Sequence, residues 1–572
     1  MVSLVVMLLL LMIDQVSGTS SIQALDGFGR PVAWWAVLKL PSHVQSPSGV
    51  KTHVIPTPCN CAVPNCSNVP TSGWTALDKR ATGLCYLYAD STNPIFRYFR
   101  EIGYECLGQG GNDPVSQTLK QKDRNSKPYW ALFNDQLNGI ASAFYPDNDV
   151  NLGDDKRICG GGDLFSAHAK GAVVFQDDGS GGVFLQTSTP NFPDPTLNDS
   201  FVKLGCQTDN NVQFAQHMLA LSLADRELKK LGEKLQLARL CSGNFFQHGS
   251  LRKLLASVNL FEDGAKQENS SAAAFYRALL DPNLPEQQSS DPMKAEFRLK
   301  LSSATEEMEM ERSRVFEPLL EGQTFTNRAA NEEVLVLIKS PRANVPPWAL
   351  VAELLDSDVS VASWWDGSYG IPTICAGDVY ADSPYMFCLN ESLTGVELNA
   401  DGSAPYNIEN LIQATWHMSD GSANLTWQLV GGRVPNGNHA KWGLTTPRFG
   451  QVNASNAYVT FGDLNMEGFP CSKACNGSQA GRGGSFFSLL QPDLHTSLTH
   501  TVISGACRCS PPTEFRHHPG KLLHTSVVVD PALTTFEELR MCHRGCVKKI
   551  KERLEPMQLP RLSVNASSFW TK

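Results

Sequence analysis

After residue 13 the sequence has no apolar run approaching the roughly 20 residues that a helix needs to cross a bilayer, so stable membrane insertion is not expected. HExxH, GxSxG and GxxxxGK[ST] motifs are also absent, which removes the common zinc-protease, serine-hydrolase and nucleotide-hydrolase readings. Positive charge is scarce. The 48 Lys and Arg against 57 Asp and Glu leave a formal charge of −9 at pH 7, which disfavours a polyanionic partner because basic contacts to phosphate usually dominate nucleic-acid affinity. The first residues lack a basic n-region, yet the apolar run over 4–13 followed by Ser17 and Gly18 reads as a signal peptide over 1–18, with cleavage as late as residue 24 also allowed.

What is present changes the balance. Thirteen histidines, once protonated, carry the formal charge from −9 to about +4, so a polyanion binder of this composition fits an acidic compartment. Sixteen cysteines and eight N-x-S/T sequons (at Asn65, Asn198, Asn269, Asn390, Asn424, Asn453, Asn476 and Asn565) fit passage through the secretory pathway, with lysosome or extracellular space as destination. In that setting Cys59-x-Cys61-x4-Cys66 and Cys542-His543-x2-Cys546 read as disulfide partners sooner than as zinc sites.

A hydrophobic content of 42% describes a globular chain with room for two or three domains. Strand-like runs fall at PVAWWAVLKLP (31–41), YWALF (129–133), GAVVF (171–175), GVFLQTS (182–188), EVLVLI (333–338), VSVASWW (359–365) and NAYVTFG (456–462). The clearest helical pattern covers 211–240, where Val212, Phe214, Met218, Leu221, Leu228, Leu231 and Leu235 recur near helical spacing. Strands alternating with helices predict an α/β fold. The expected segments are a first half over 24–261, a charged solvated helix or connector over 262–330, a second half over 331–510 and a basic extension over 511–572.

One chemical pattern occurs twice. His168-Ala169-Lys170 is followed by Ser188 and Asn191, and His439-Ala440-Lys441 by Asp463 and Asn465. On an extended backbone residues two apart share a face, so each HxK sets an imidazole beside an ammonium. Lysine supplies positive charge to phosphate oxygens, a neutral imidazole can attack phosphorus, and a protonated one can donate to the leaving oxygen. Two such pairs make one site for a phosphodiester. A single HxK carries little weight, and Asn191 in TPNFPDP by itself reads as an ordinary turn residue.

These blocks, SAHAKGAVVF with LQTSTPNFPDP and NHAKWGL with YVTFGDLN and Arg482-Gly483-Gly484, together with GRPVAWWAVLKLP, the tyrosine-rich YLYAD and WALFNDQL, resemble the deoxyribonuclease II family over roughly residues 24–510. The resemblance implies two phospholipase D-like αβα sandwich halves related by a pseudo-twofold, with the active site at their interface. It implies acid endonucleolytic cleavage of DNA, double-stranded for preference, to 3′-phosphate and 5′-hydroxyl ends, with no metal or cofactor, in a chain that could pair as a homodimer. His168 then acts as nucleophile and His439 as general acid, or with roles exchanged. Lys170 and Lys441 hold the phosphate, while Ser188, Asn191, Asp463 and Asn465 orient the histidines or phosphate oxygens. Thr187 stands where vertebrate-type members have a further histidine, Met466 where they have an arginine, and Ala24 where many have the cysteine that pairs with the one at Cys206 here. Two other readings share this scaffold: a non-catalytic nucleic-acid binder, which has no use for both histidines, and a phosphodiesterase or phospholipase with another substrate.

Overall fold

The computed structural model describes residues 21–45, 54–59, 61, 82–123, 128–134, 167–176, 179–190, 192–193, 204, 213–240, 269–279, 291–302, 333–343, 345–364, 373–376, 404–421, 423–429, 431, 437–446, 452–466, 481–509 and 527–529. They form a mixed α/β structure made mostly of sheet, with few helices. The first sheet contains β1 (Trp34–Lys39), β2 (Tyr86–Asp90), β3 (Asn93–Tyr98), β4 (Tyr129–Asn134), β5 (Lys170–Phe175), β6 (Gly182–Thr187) and β7 (Gln216–Leu223), in the order β3-β2-β1-β7-β6-β5-β4. Every neighbouring pair in it is antiparallel.

The second sheet runs through β8 (Lys294–Lys300), β9 (Glu333–Lys339), β10 (Val359–Ala362), β11 (Ile408–His417), β12 (Asn424–Gln428), β13 (Trp442–Thr445), β14 (Tyr458–Gly462) and β15 (Gly484–Leu490). Its order is β8-β9-β15-β14-β13-β10-β11-β12, and it continues into the short segments His43–Gln45 and Val54–Pro56 from the beginning of the chain. Beside β11 lies β16 (Ile503–Cys509), which in turn pairs with Val527–Val529, so part of the basic extension joins the sheet.

The sequence-predicted strands at 129–133, 171–175, 182–188, 333–338 and 456–462 are all present within a residue or two, while the run at 359–365 is strand only to Ala362. The 211–240 helix needs correction. Gln216–Leu223 is β7, wholly buried between β1 and β6, and the helix α2 begins only at Asp225, after α1 (Pro114–Leu119), and runs to Leu235. A central strand covered on both faces carries apolar residues at every position, and such a run satisfies a helical template by accident.

The charged stretch 262–330 is corrected too, as far as it is described. Ser271–Leu279 forms α3, with Ala272, Phe275, Ala278 and Leu279 buried against α2 and with Phe275 6.0 Å from Phe175 between ring centroids. Lys294–Lys300 is β8, antiparallel to β9. Small apolar side chains at 272–274 let α3 pack closely, and a Cβ on Gly232 of α2 would lie 3.0 Å from that of Ala274.

A continuous core of buried apolar residues includes members of both sheets, with Phe184 on β6 facing Phe487 on β15 at 5.4 Å. A smaller cluster surrounds α4 (Pro347–Leu354), Leu464, Met466 and Phe486. Cys59 pairs with Cys85, Cys61 with Cys106 and Cys375 with Cys509, so the two described cysteines of the 59–66 cluster are spent in disulfides. Cys66, Cys206, Cys542, His543, Cys546, the leader over 1–18 and Asn191 lie outside the described residues.

Candidate active site

Each HxK stands at the head of a strand whose hairpin partner ends at the matching polar residue. Lys170 opens β5, which pairs with β6, and Ser188 follows β6 directly. Lys441 immediately precedes β13, which pairs with β14, and Asp463 follows β14 directly. The extended backbone brings each imidazole beside its lysine: Lys170 Nζ is 3.4 Å from His168 Nε2, and Lys441 Nζ is 3.5 Å from His439 Nδ1 and donates to the His439 carbonyl at 2.8 Å. His168, Lys170 and Lys441 are buried, and His439 is half-buried.

The two hairpins meet through an exchange of contacts. His168 Nδ1 lies 2.8 Å from the carbonyl oxygen of Asp463, and His439 Nδ1 lies 3.3 Å from that of Ser188. The main chain repeats the exchange, with the His168 N–H donating to the Gly483 carbonyl at 2.9 Å and the His439 N–H to the Ala215 carbonyl at 2.8 Å. Each histidine is therefore held by the part of the chain that carries the other one. A carbonyl oxygen only accepts, so the 2.8 Å contact places the proton of neutral His168 on Nδ1 and leaves the Nε2 lone pair facing Lys170.

The supporting residues act differently from one another. The Asp463 carboxylate accepts from Gln186 Nε2 at 3.1 Å and from the Ser485 N–H and hydroxyl at 2.8 and 2.6 Å. Burial raises its pKa from 3.8 to about 6 against the opposing pull of those hydrogen bonds and of Lys170. The Ser188 hydroxyl donates to Gln216 Oε1 at 2.7 Å and accepts from the His217 N–H at 2.9 Å, so only its carbonyl addresses His439. Asn465 Oδ1 accepts from the Trp364 N–H at 3.2 Å, and the Trp364 ring sits edge-on to His439 with centroids 4.7 Å apart. Trp348 Nε1 donates to the Leu464 carbonyl at 3.0 Å and steadies the Asp463–Asn465 turn from behind.

Several residues here had no individual role assigned from the sequence. Arg482 donates to the Ala167 carbonyl at 2.7 Å, beside His168. Lys39, at the end of β1, donates to the Phe214 carbonyl at 2.6 Å, and Lys339, at the end of β9, donates to the Arg482 carbonyl at 2.8 Å. Those carbonyls immediately precede Ala215 and Gly483, the two residues that receive the histidine N–H groups. Burial holds both lysine pKa values well below the usual 10.5. The repeat Lys39-Leu-Pro41 and Lys339-Ser-Pro341 was a signal available in the sequence. His217 is fully buried, and its pKa is held well below 6.5 by burial and by the charges of Lys441 and Lys170. Thr187 donates to Thr189 Oγ1 and to the His217 carbonyl, and Met466 is buried in the smaller apolar cluster.

No helix among the described residues is long and apolar enough to cross a membrane. Compared with known families, the chain matches the family model described as Deoxyribonuclease II over residues 69–384, just over half its length; the matched span contains His168 and Lys170 and ends before His439. No curated protein matches the chain.

Proposed function

Since the chain belongs to the deoxyribonuclease II family, and is therefore a hydrolase of DNA phosphodiester bonds, we propose that it cuts DNA without a metal ion through one site built from His168, Lys170, His439 and Lys441. The observation that carries this reading is the reciprocal contact of His168 with Asp463 and of His439 with Ser188. The two strand pairs are read as the centres of two phospholipase D-like halves related by a pseudo-twofold, over 24–261 and 331–510. Their matched hairpins support that reading.

In the proposed reaction Nε2 of His168 attacks phosphorus, forming an N–P bond as the P–O5′ bond breaks. His439, protonated, gives its proton to the departing 5′ oxygen. Water then attacks the phosphohistidine, its proton passes to His439, and the N–P bond breaks to leave a 3′-phosphate end and the starting enzyme. Lys170 and Lys441 supply fixed positive charge to the phosphoryl oxygens in a buried setting, where it acts more strongly than in water. His168 is the nucleophile in this scheme because its Nδ1 has the shorter carbonyl contact, and His439 is the acid because it is the member of the four open to solvent. Asn191 is proposed to orient the histidines or the phosphate oxygens.

The proposed general acid must be protonated to act, and together with the charge of −9 at neutral pH this supports activity in an acidic compartment, with lysosome or extracellular space as destination. The disulfides are consistent with that route. The test is plasmid cleavage at about pH 5 and about pH 7.5, either side of the histidine pKa, with excess EDTA and end-group analysis. Acid-favoured cleavage in EDTA with 3′-phosphate ends is expected. Loss of cleavage in EDTA, or 5′-phosphate ends, contradicts the reading.

A further inference from the structure

His217 belongs to neither HxK pair, yet both meet around it. It lies near the start of β7, opposite Leu38 of β1, with Phe461 of β14 5.6 Å away between ring centroids. Its main chain is tied to Ser188, receiving the Ser188 N–H at 3.1 Å and donating its own N–H to the Ser188 hydroxyl at 2.9 Å. Its side chain reaches the opposite half: Nδ1 accepts the main-chain N–H of Lys441 at 3.0 Å. Because a main-chain N–H only donates, the imidazole is neutral with its proton on Nε2. Nε2 is buried and has no hydrogen-bond partner among the described residues.

That arrangement is a poor choice for stability alone. A leucine would fill the space without burying an unpaired N–H, but it would leave the Lys441 N–H without its acceptor. We propose that His217 is a positioning residue: it fixes Lys441 directly through Nδ1, and His439 through Ser188, so that a strand of the first sheet sets the second HxK pair for the phosphate. The inference rests on the function proposed above. The charged groups acting on the ring are Lys441 from the head of β13 and Lys170 from the head of β5, while Thr187 from β6 and Ser188 just after it, Leu38 from β1 and Phe461 from β14 are uncharged. Two lysines and full burial both oppose a third positive charge, which keeps the Nδ1 lone pair available in acid.

Two replacements separate this role from simple filling. In His217→Asn the side-chain oxygen takes the place of Nδ1, whereas in His217→Gln it reaches the place of Nε2. Steady-state cleavage of a fluorogenic DNA oligonucleotide at acid pH is compared for full-length wild type and both variants, with thermal midpoints as a check on folding. His217→Gln is expected to lose about 100-fold in kcat with KM changed by less than about threefold, as for a sub-ångström to ångström misplacement of a reacting group. His217→Asn is expected to recover most of that loss. Equal rates for the two variants, or a faster glutamine variant, overturn the inference while the wild-type rate upholds the nuclease reading; an inactive wild type instead contradicts that reading. Wild-type protein labelled with 15N-histidine provides a second measurement that needs no variant to fold. One imidazole held as the neutral Nε2–H form at about pH 5, well below the ordinary histidine pKa, is expected; uniform titration of every histidine near that pKa overturns the inference.

Discussion

His168 Nδ1 and the carbonyl oxygen of Asp463 stand 2.8 Å apart across 295 residues of sequence. The contact fixes the tautomer of one HxK imidazole from the hairpin that follows the other. With its counterpart between His439 and Ser188, it makes each half of the site incomplete without the other, and the consequences can be tested at several positions.

Gly483 is the first. Its carbonyl accepts the His168 N–H, and a Cβ at this position would lie 1.8 Å from the Ala238 carbonyl oxygen, a backbone atom with little room to retreat. Gly483→Ala should push the segment away from Ala238 and carry His168 with it, lowering kcat by about 10- to 100-fold. Kinetics on purified, folded variant measure this, and an unchanged kcat would show that the Gly483 contact does not place His168.

Lys39 and Lys339 form the second test. Each donates to the carbonyl just before the residue that receives a histidine N–H. Lys39→Met should strand the Phe214 carbonyl, and Lys339→Met the Arg482 carbonyl, each costing about 1–3 kcal/mol of stability for the unsatisfied group. Activity per folded molecule should also fall in each, through His439 for Lys39 and through His168 for Lys339. Denaturant melts paired with activity titrations distinguish this from a loss of stability alone.

Asp463 gives a pH signature. Its carboxyl is raised from 3.8 to about 6 in the folded protein, so the folded state holds this proton more tightly than the unfolded chain does. The associated stability is fully present below the unfolded pKa and is lost as pH rises through about 6, an amount on the order of 3 kcal/mol. Asp463→Asn should remove that component, so that the stability difference between wild type and variant shifts by this amount between pH 4 and pH 7. His217, with its pKa lowered, contributes in the opposite direction, its stability being present above 6.5 and lost as pH falls. A difference that stays constant with pH would contradict the raised carboxyl pKa.

Much of the site was legible because its logic is local. An HxK at the head of a strand needs only the two-residue period of extended backbone, and the strands at 170–175 and 182–187 announce themselves through Val, Phe and Leu between glycines. Tertiary context hid the rest. β7 reads as part of a helix because both its faces are covered, and α3 disappears among flanking charges because alanines build its buried face. Lys39 and Lys339 look like solvent-facing strand ends until their carbonyl partners arrive from distant loops. His217, a lone histidine on an apolar strand, gives no local sign of the Lys441 N–H it accepts, 224 residues on. Met466, which stands where vertebrate-type members have an arginine, packs its side chain in the smaller apolar cluster.

The claim that two HxK pairs make a single site is tested most directly by cleavage rates for His168→Ala, His439→Ala and the double variant. Residues that work as one unit are strongly non-additive, so each single variant should lose at least about 1,000-fold and the double variant little more. Single variants that each keep about half the wild-type rate, with activity lost only in the double variant, would mean two independent sites and would contradict the account.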